Sequence, residues 1–222
     1  QWLTGREDAW AHCNNFRYHV WWHKALMHLD LGQCDAALDL YDSEVRKDRT
    51  DDYRDISNAT SLLSRLELEG IDVGNRWQDL RTYLESRVDD VVQPFLCLQY
   101  LYGLARSQST LADHLLTLIR TQADVPAVPK DRTLWQNVGI PAALGLMAHA
   151  RGEYELAAGK LASVRSSLWK VGGRHEQRDL FEQILLHARL RSGQWEVARK
   201  PLEQRRQWEP ESPILVKRLE QV

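Results

Sequence analysis

Cysteine is scarce in this sequence of 222 residues: only Cys13, Cys34 and Cys97 occur, far apart and without a CxxC pair. That argues against a disulfide framework or a zinc-ribbon site. Cys34 and Cys97 fall inside helical patterns and read as small buried hydrophobes rather than reactive thiols. An excess of one charge is missing too, since 29 Lys and Arg stand against 31 Asp and Glu, for a formal net charge of −2. A nucleic-acid partner, whose phosphates call for a concentrated basic surface, is therefore not expected. No apolar run reaches the length of a bilayer span, so no membrane partner is expected, and the first residues lack the apolar core of a signal peptide. A reducing, cytoplasmic location is the expectation. Alternating apolar and polar residues are absent as well, which argues against a sheet.

What is present is apolar residues at helical spacing, within a composition that is 43% hydrophobic. Trp21, Ala25 and Leu29, then Ala37, Leu38 and Tyr41, mark two runs broken at Gly32. Ile56 to Leu68, Trp77 to Leu84, Phe95 to Leu104 and Leu111 to Ile119 follow. The segment from Val125 to Asp131, with Pro126 and Pro129, reads as a loop. Beyond it, helices are expected over Ile140 to Ala150, Leu156 to Val171, Leu180 to Leu190 and Trp195 to Trp208. Nine tryptophans are many for this length. Trp21, Trp77 and Trp135 are expected to pack between helices, and Trp195 and Trp208 to take inter-helix positions.

Stop signals fall near Gly32, Gly70, Ser107, Gly152 and Gly193, at spacings of 38, 37, 45 and 41 residues. A period of roughly 34 to 47 residues marks stacked helical hairpins. Three units share detail. Gly32 is followed by Ala37 and Tyr41, Gly152 by Tyr154, Ala157 and Leu161, and Gly193 by Trp195, Ala198 and Leu202, with Pro210 closing the last. The glycine ends a helix in a left-handed turn, the aromatic wedges the turn, and the alanine lets paired helices approach. The expected fold is all-α: one tetratricopeptide-like α-solenoid domain over residues 1–222, with about five helix pairs.

Four stretches, Tyr18 to Gly32 (YHVWWHKALMHLDLG), Ala36 to Asp42 (AALDLYD), Ser61 to Leu80 and Gly172 to Gly193, together resemble the tetratricopeptide repeat protein 38 family. The resemblance runs over almost the whole chain, in order. It implies an α-solenoid and a chain corresponding to roughly the C-terminal half of a longer protein, and it carries no established reaction. Two departures matter. Arg174 and Glu176 stand where the family usually reads Ser and Ala, and Gln99 stands where it tends to place a histidine.

Polar candidates group in three places. His19 and His23, four apart, share one helix face, and such a pair can chelate a metal; HVWWH, however, has no carboxylate between them to act as a base. A third ligand would have to come from Asp55, His175 or Asp179. The plainer reading packs both histidines beside Trp22. Gly172-Gly173 with His175, Arg178 and Asp179 opens a helix where an anion could sit, or else forms a turn in which Asp179 caps and Arg178 pairs with an acid. Asp51, Asp52, Asp55 and Asn58 are read as preceding the third helix. In a stack of hairpins the first helix of each pair lines a concave groove. On that register His19, Trp22, Leu26, Ser57, Thr60, Ser64, Gln183 and His187 line it.

No Ser-His-Asp arrangement, phosphate loop or dinucleotide fingerprint is present, so no catalytic residue and no cofactor is expected. The leading expectation is a scaffold that binds a protein or peptide, or another part of its own longer chain. The alternative is an enzyme or a small-molecule or metal binder, with His19, His23, His175, Arg178 and Asp179 converging inside. A third reading has Ile214, Leu215 and Leu219 forming a dimer surface, with the oligomeric state left open.

Overall fold

The computed structural model describes residues 5–122, 124 and 129–222, and among them every regular element is helical. They are α1 (Asp8–Ala11), α2 (Phe16–Asp30), α3 (Cys34–Leu40), α4 (Tyr53–Leu68), α5 (Arg76–Glu85), α6 (Pro94–Arg106) and α7 (Leu111–Gln122). After these come α8 (Pro129–Leu134), α9 (Ile140–Ala150), α10 (Tyr154–Val164), α11 (His175–Arg191), α12 (Trp195–Trp208) and α13 (Pro213–Leu219). The expected loop from Val125 to Asp131 lies partly outside the described residues; from Pro129 onward it is helix, because Pro fits the first turn where its missing N–H has no partner to lose. Asp55 and Asn58 lie inside α4 rather than ahead of it, and the helix is capped by Asp52, whose carboxylate accepts from the Arg54 N–H. The helix expected to run to Val171 tightens into a 3-10 segment at Arg165–Val171, and π-helical turns extend α3 and precede α9.

Gly32, Gly70, Gly152 and Gly193 all take positive φ, from 71 to 82°, and each ends a helix that packs on the next. The remaining stop is different. The helix ends at Ser107, and Gln108 adopts φ 58°, a left-handed conformation that a side chain disfavours. Left-handed backbone costs about 1–2 kcal/mol in an L-residue, and part of that is offset by the extra freedom glycine has when unfolded. Gln108→Gly is therefore expected to stabilise the fold by up to about 1 kcal/mol, raising the thermal midpoint. A lowered midpoint would show that the turn does not need this geometry.

The helix pairs sit side by side. Ion pairs join residues about one period apart: Arg76 to Asp42, Arg87 to Asp51, Arg106 to Glu67 and Arg151 to Asp113, separated by 34, 36, 39 and 38 positions. The first helices of successive pairs also touch in series, α2 on α4, α4 on α6, α6 on α9 and α9 on α11. One further contact changes the picture. Helix α11 packs back onto α4 as well, so α4 is surrounded by α2, α5, α6 and α11 and is buried along nearly its whole length.

The packing corrects several expectations. Trp22, Ser57, Thr60 and Ser64 are buried, so the face expected to form an open groove is not open at these four positions. Inside α4, the Thr60 and Ser64 hydroxyls donate to carbonyls one turn back, which satisfies them without solvent. Trp77 and Trp135 are buried and Trp21 packs against the core, as expected. Trp195 and Trp208, in contrast, are 53% and 86% exposed, and among the described residues no helix covers them. Leu215 does not offer a dimer surface. It is buried with Leu186, Ala198 and Leu202 in a small second core, with Leu219 packed against it, and this core holds α11, α12 and α13 together.

Candidate functional site

Helix α2 presents His19 and His23 one turn apart on the side of the wholly buried Trp22. The His19 ring stacks on the indole at 5.2 Å between centroids and 16° between planes, and His23 meets it edge-on at 4.8 Å. The two Nε2 atoms lie 3.2 Å apart, and His19 Nδ1 lies 3.4 Å from Asn58 Oδ1 on α4. Burial, followed by the neighbouring His19, lowers the His23 pKa, so its ring is held neutral, while the charge of Glu176 acts the other way. Asp55, one turn before Asn58, takes a different set of partners: it accepts from Asn15 Nδ2 at 2.6 Å and from the Thr50 hydroxyl. Burial raises its carboxyl, and those two bonds oppose the shift. Asn58 Nδ2 and Asp55 Oδ1 are buried without a partner.

The start of α11 is set by Gly172 and Gly173, at φ 95 and 75°. A Cβ on Gly173 would fall 2.7 Å from the Phe95 ring, so only glycine lets the turn close over α6. Arg178 pairs with no acid; it donates to the carbonyls of Gly172 and Gly173 and so pins the turn. Asp179 is not a cap. It receives a two-pronged bond from Arg205 of α12, at 2.5 and 3.0 Å, and a third from Gln183 at 2.7 Å. Burial alone would raise the Asp179 carboxyl, but Arg205 outweighs it and holds the group ionised. Capping falls instead to Gln177, whose Oε1 accepts from the Arg174 N–H at 2.8 Å.

Where the main core ends and the small second core begins, a cleft of about 760 Å³ opens between α2, α4, α11, α12 and α13. Three of its arginines are paired: Arg205 to Asp179, Arg165 to Glu182 and Arg218 to Glu69. The fourth, Arg65, is buried and donates to neutral groups, Ser61 and the Glu176 carbonyl, so that burial lowers its pKa to about 10. Asp30, Glu176 and Glu209 also line the cleft, and no carboxylate among these three is in an ion pair. Burial together with Glu209 and Asp179 pushes Asp30 up to about 6. Leu29, Pro201 and Trp208 supply apolar surface.

The sequence candidates thus divide. His19, His23 and Asn58 meet; Asp55 bonds to Asn15 and Thr50; His175, Asp179, Gln183 and Leu26 line the cleft; and Arg178 serves the glycine turn. His187 belongs elsewhere, in a chain that sequence reasoning missed. The Tyr102 hydroxyl lies 2.9 Å from His149 Nδ1, and His149 Nε2 lies 2.9 Å from His187 Nδ1. Burial lowers His149 to about 3 and His187 to about 4, each also repelled by nearby cationic side chains. The one local signal for this chain was a histidine inside the otherwise apolar run from Ile140 to Ala150. Gln99, at the position singled out above, is wholly buried, and neither amide atom of its side chain has a partner. Among the described residues, no group of three or more His, Cys, Asp or Glu side chains is arranged to hold a metal, and no helix is long and apolar enough to cross a membrane. No model of a known protein family matches the sequence, and no solved structure matches it.

Proposed function

We propose that this chain is a tetratricopeptide-like stack of helical hairpins that binds a peptide segment of a partner protein in the cleft between α2, α4, α11, α12 and α13. The recurring stop residues and the ion pairs one period apart support the stacked-hairpin reading. The observation that carries the binding reading is the charge of the cleft. Six acids, Asp30, Glu69, Glu176, Asp179, Glu182 and Glu209, line the cleft with four arginines, and Trp208 and Ile214 add apolar surface to the same lining. Three of these acids, Asp30, Glu176 and Glu209, are in no ion pair, and Glu209 and Asp179 repel Asp30. A lysine or arginine side chain entering the cleft relieves that repulsion, and its neighbours in the peptide can pack on the indole.

Fluorescence anisotropy with labelled Lys/Arg-rich and Asp/Glu-rich peptides tests the reading. Retention of the basic peptides is expected, with affinity falling by about tenfold or more in the Asp30→Asn, Glu209→Gln double variant. Equal retention of both peptide classes, or no loss in the double variant, would reject it.

A further inference from the structure

We propose that His19 and His23 form a two-histidine chelate for a divalent transition-metal ion of the zinc, nickel or copper class. This goes beyond the peptide-binding reading and does not depend on it. Four observations meet at this place. First, the separation suits a chelate. Two imidazole nitrogens at about 2.05 Å from one ion stand about 3.3 Å apart at a tetrahedral angle and about 2.9 Å apart at a right angle, and the two Nε2 atoms are 3.2 Å apart. Second, the rings are already oriented, because Trp22 is fully buried and contacts one by stacking and the other by its edge. Little freedom remains to be lost on binding.

Third, the tautomer suits the role. Asn58 Oδ1 can only accept, so the bond from His19 places the ring proton on Nδ1 and leaves Nε2 with its lone pair. Metal-binding histidines are commonly oriented by such a second bond. Fourth, Asn58, the group that orients His19, is itself buried and so held in place. Both histidines are only half-buried, so an ion can reach them. Glu176, at the facing start of α11, contributes negative charge near His23. Its position is held by Arg65, which bonds the Glu176 carbonyl at 2.7 Å.

The proton balance is simple. Without metal, His23 Nε2–H donates to His19 Nε2. With metal, that proton moves to His23 Nδ1 through water and both Nε2 lone pairs face the ion, so the neutral pair binds without losing a proton. Imidazole donors favour zinc, nickel and copper over calcium or magnesium. Solvent oxygen completes the shell, because two ring nitrogens alone do not.

Adding Cu²⁺ alone to the whole chain tests this. A Cys13→Ser background removes the exposed His12–Cys13 pair as a competing ligand set. Electron paramagnetic resonance is expected to show one ion per chain with hyperfine splitting from two nitrogens. His19→Gln or His23→Gln should leave one nitrogen and weaken binding by tenfold or more, whereas His28→Gln should change neither. Asn58→Ala, which keeps both ligands, should weaken binding by about 10-fold or more. If a glutamine variant loses its helical circular dichroism, ring-nitrogen chemical shifts of the unaltered chain on titration with Zn²⁺ decide the matter. Shifts at His19 and His23 support the chelate, and shifts confined to other histidines overturn it. Absence of stoichiometric binding, or binding unchanged in both glutamine variants, also overturns it.

Discussion

Lowering the pH from 7 to 5 is expected to cost this fold about 4 kcal/mol through His149 and His187 together. Both rings are tied into one chain with Tyr102, where each hydrogen bond suits a neutral imidazole. Their folded pKa values lie at about 3 and about 4, below the ordinary 6.5. Above pH 6.5 the folded and unfolded chains carry the same protons on these groups, and stability does not vary on their account. Below 6.5 the unfolded chain takes up protons that the folded chain refuses, so stability falls with pH until the folded values are reached. At pH 5 each histidine contributes a loss of about 2 kcal/mol. His23, also lowered, adds to the loss, while Asp30, raised to about 6, works against it. Asp30 sits at the mouth of the cleft, where solvent screens it, so the histidines dominate. Urea titrations at pH 7 and pH 5 measure the difference, and His149→Gln should remove about half of it. A stability that stays level or rises toward pH 5 would show that these rings are charged within the fold.

Trp22→Ala is expected to cost about 3–5 kcal/mol, the range for removing a large aromatic from a core. The indole is fully buried at the junction of α2 with α4, and His19, His23 and the Arg65 guanidinium all rest on it. Removing it takes away apolar burial and also the support that orients the histidine pair. Trp22→Phe separates the two losses. The indole N–H is buried without a partner, so a phenyl ring loses some volume but removes an unsatisfied donor. It should cost clearly less than the alanine. Guanidinium denaturation of the three proteins gives the comparison. A loss below about 1 kcal/mol for Trp22→Ala is incompatible with a filled junction at this position.

Much of the fold was legible from short stretches. The glycines at 32, 70, 152 and 193 ended helices because a left-handed turn is a property of one residue and its neighbours. The pairing of His19 with His23 followed from helical spacing alone. Other features left no local trace. Gln108 shows none of the usual turn chemistry yet adopts the same backbone geometry, because the turn between α6 and α7 is enforced by the helices on either side. Arg205 reaches Asp179 across 26 residues, and Arg218 reaches Glu69 across 149. Neither spacing belongs to a helix face or to the repeat period. The exposed Trp195 and Trp208 were assigned to packed positions by analogy with earlier units, but among the described residues no helix covers them; α13 packs on α12 through Leu215 instead.

The sequence by itself determined that the chain is helical, where most helices stop, and which neighbours on one helix share a face. These depend on interactions within a turn or between adjacent segments. Only the tertiary structure decided that α11 returns to α4, that Ser57, Thr60 and Ser64 are buried, and that six acids and four arginines line one cleft. Arg65 of α4 reaches the Glu176 carbonyl of α11 across 111 residues, a contact that no local pattern encodes. Which distant helices meet depends on the packing of the whole chain, and no single helix carries that information.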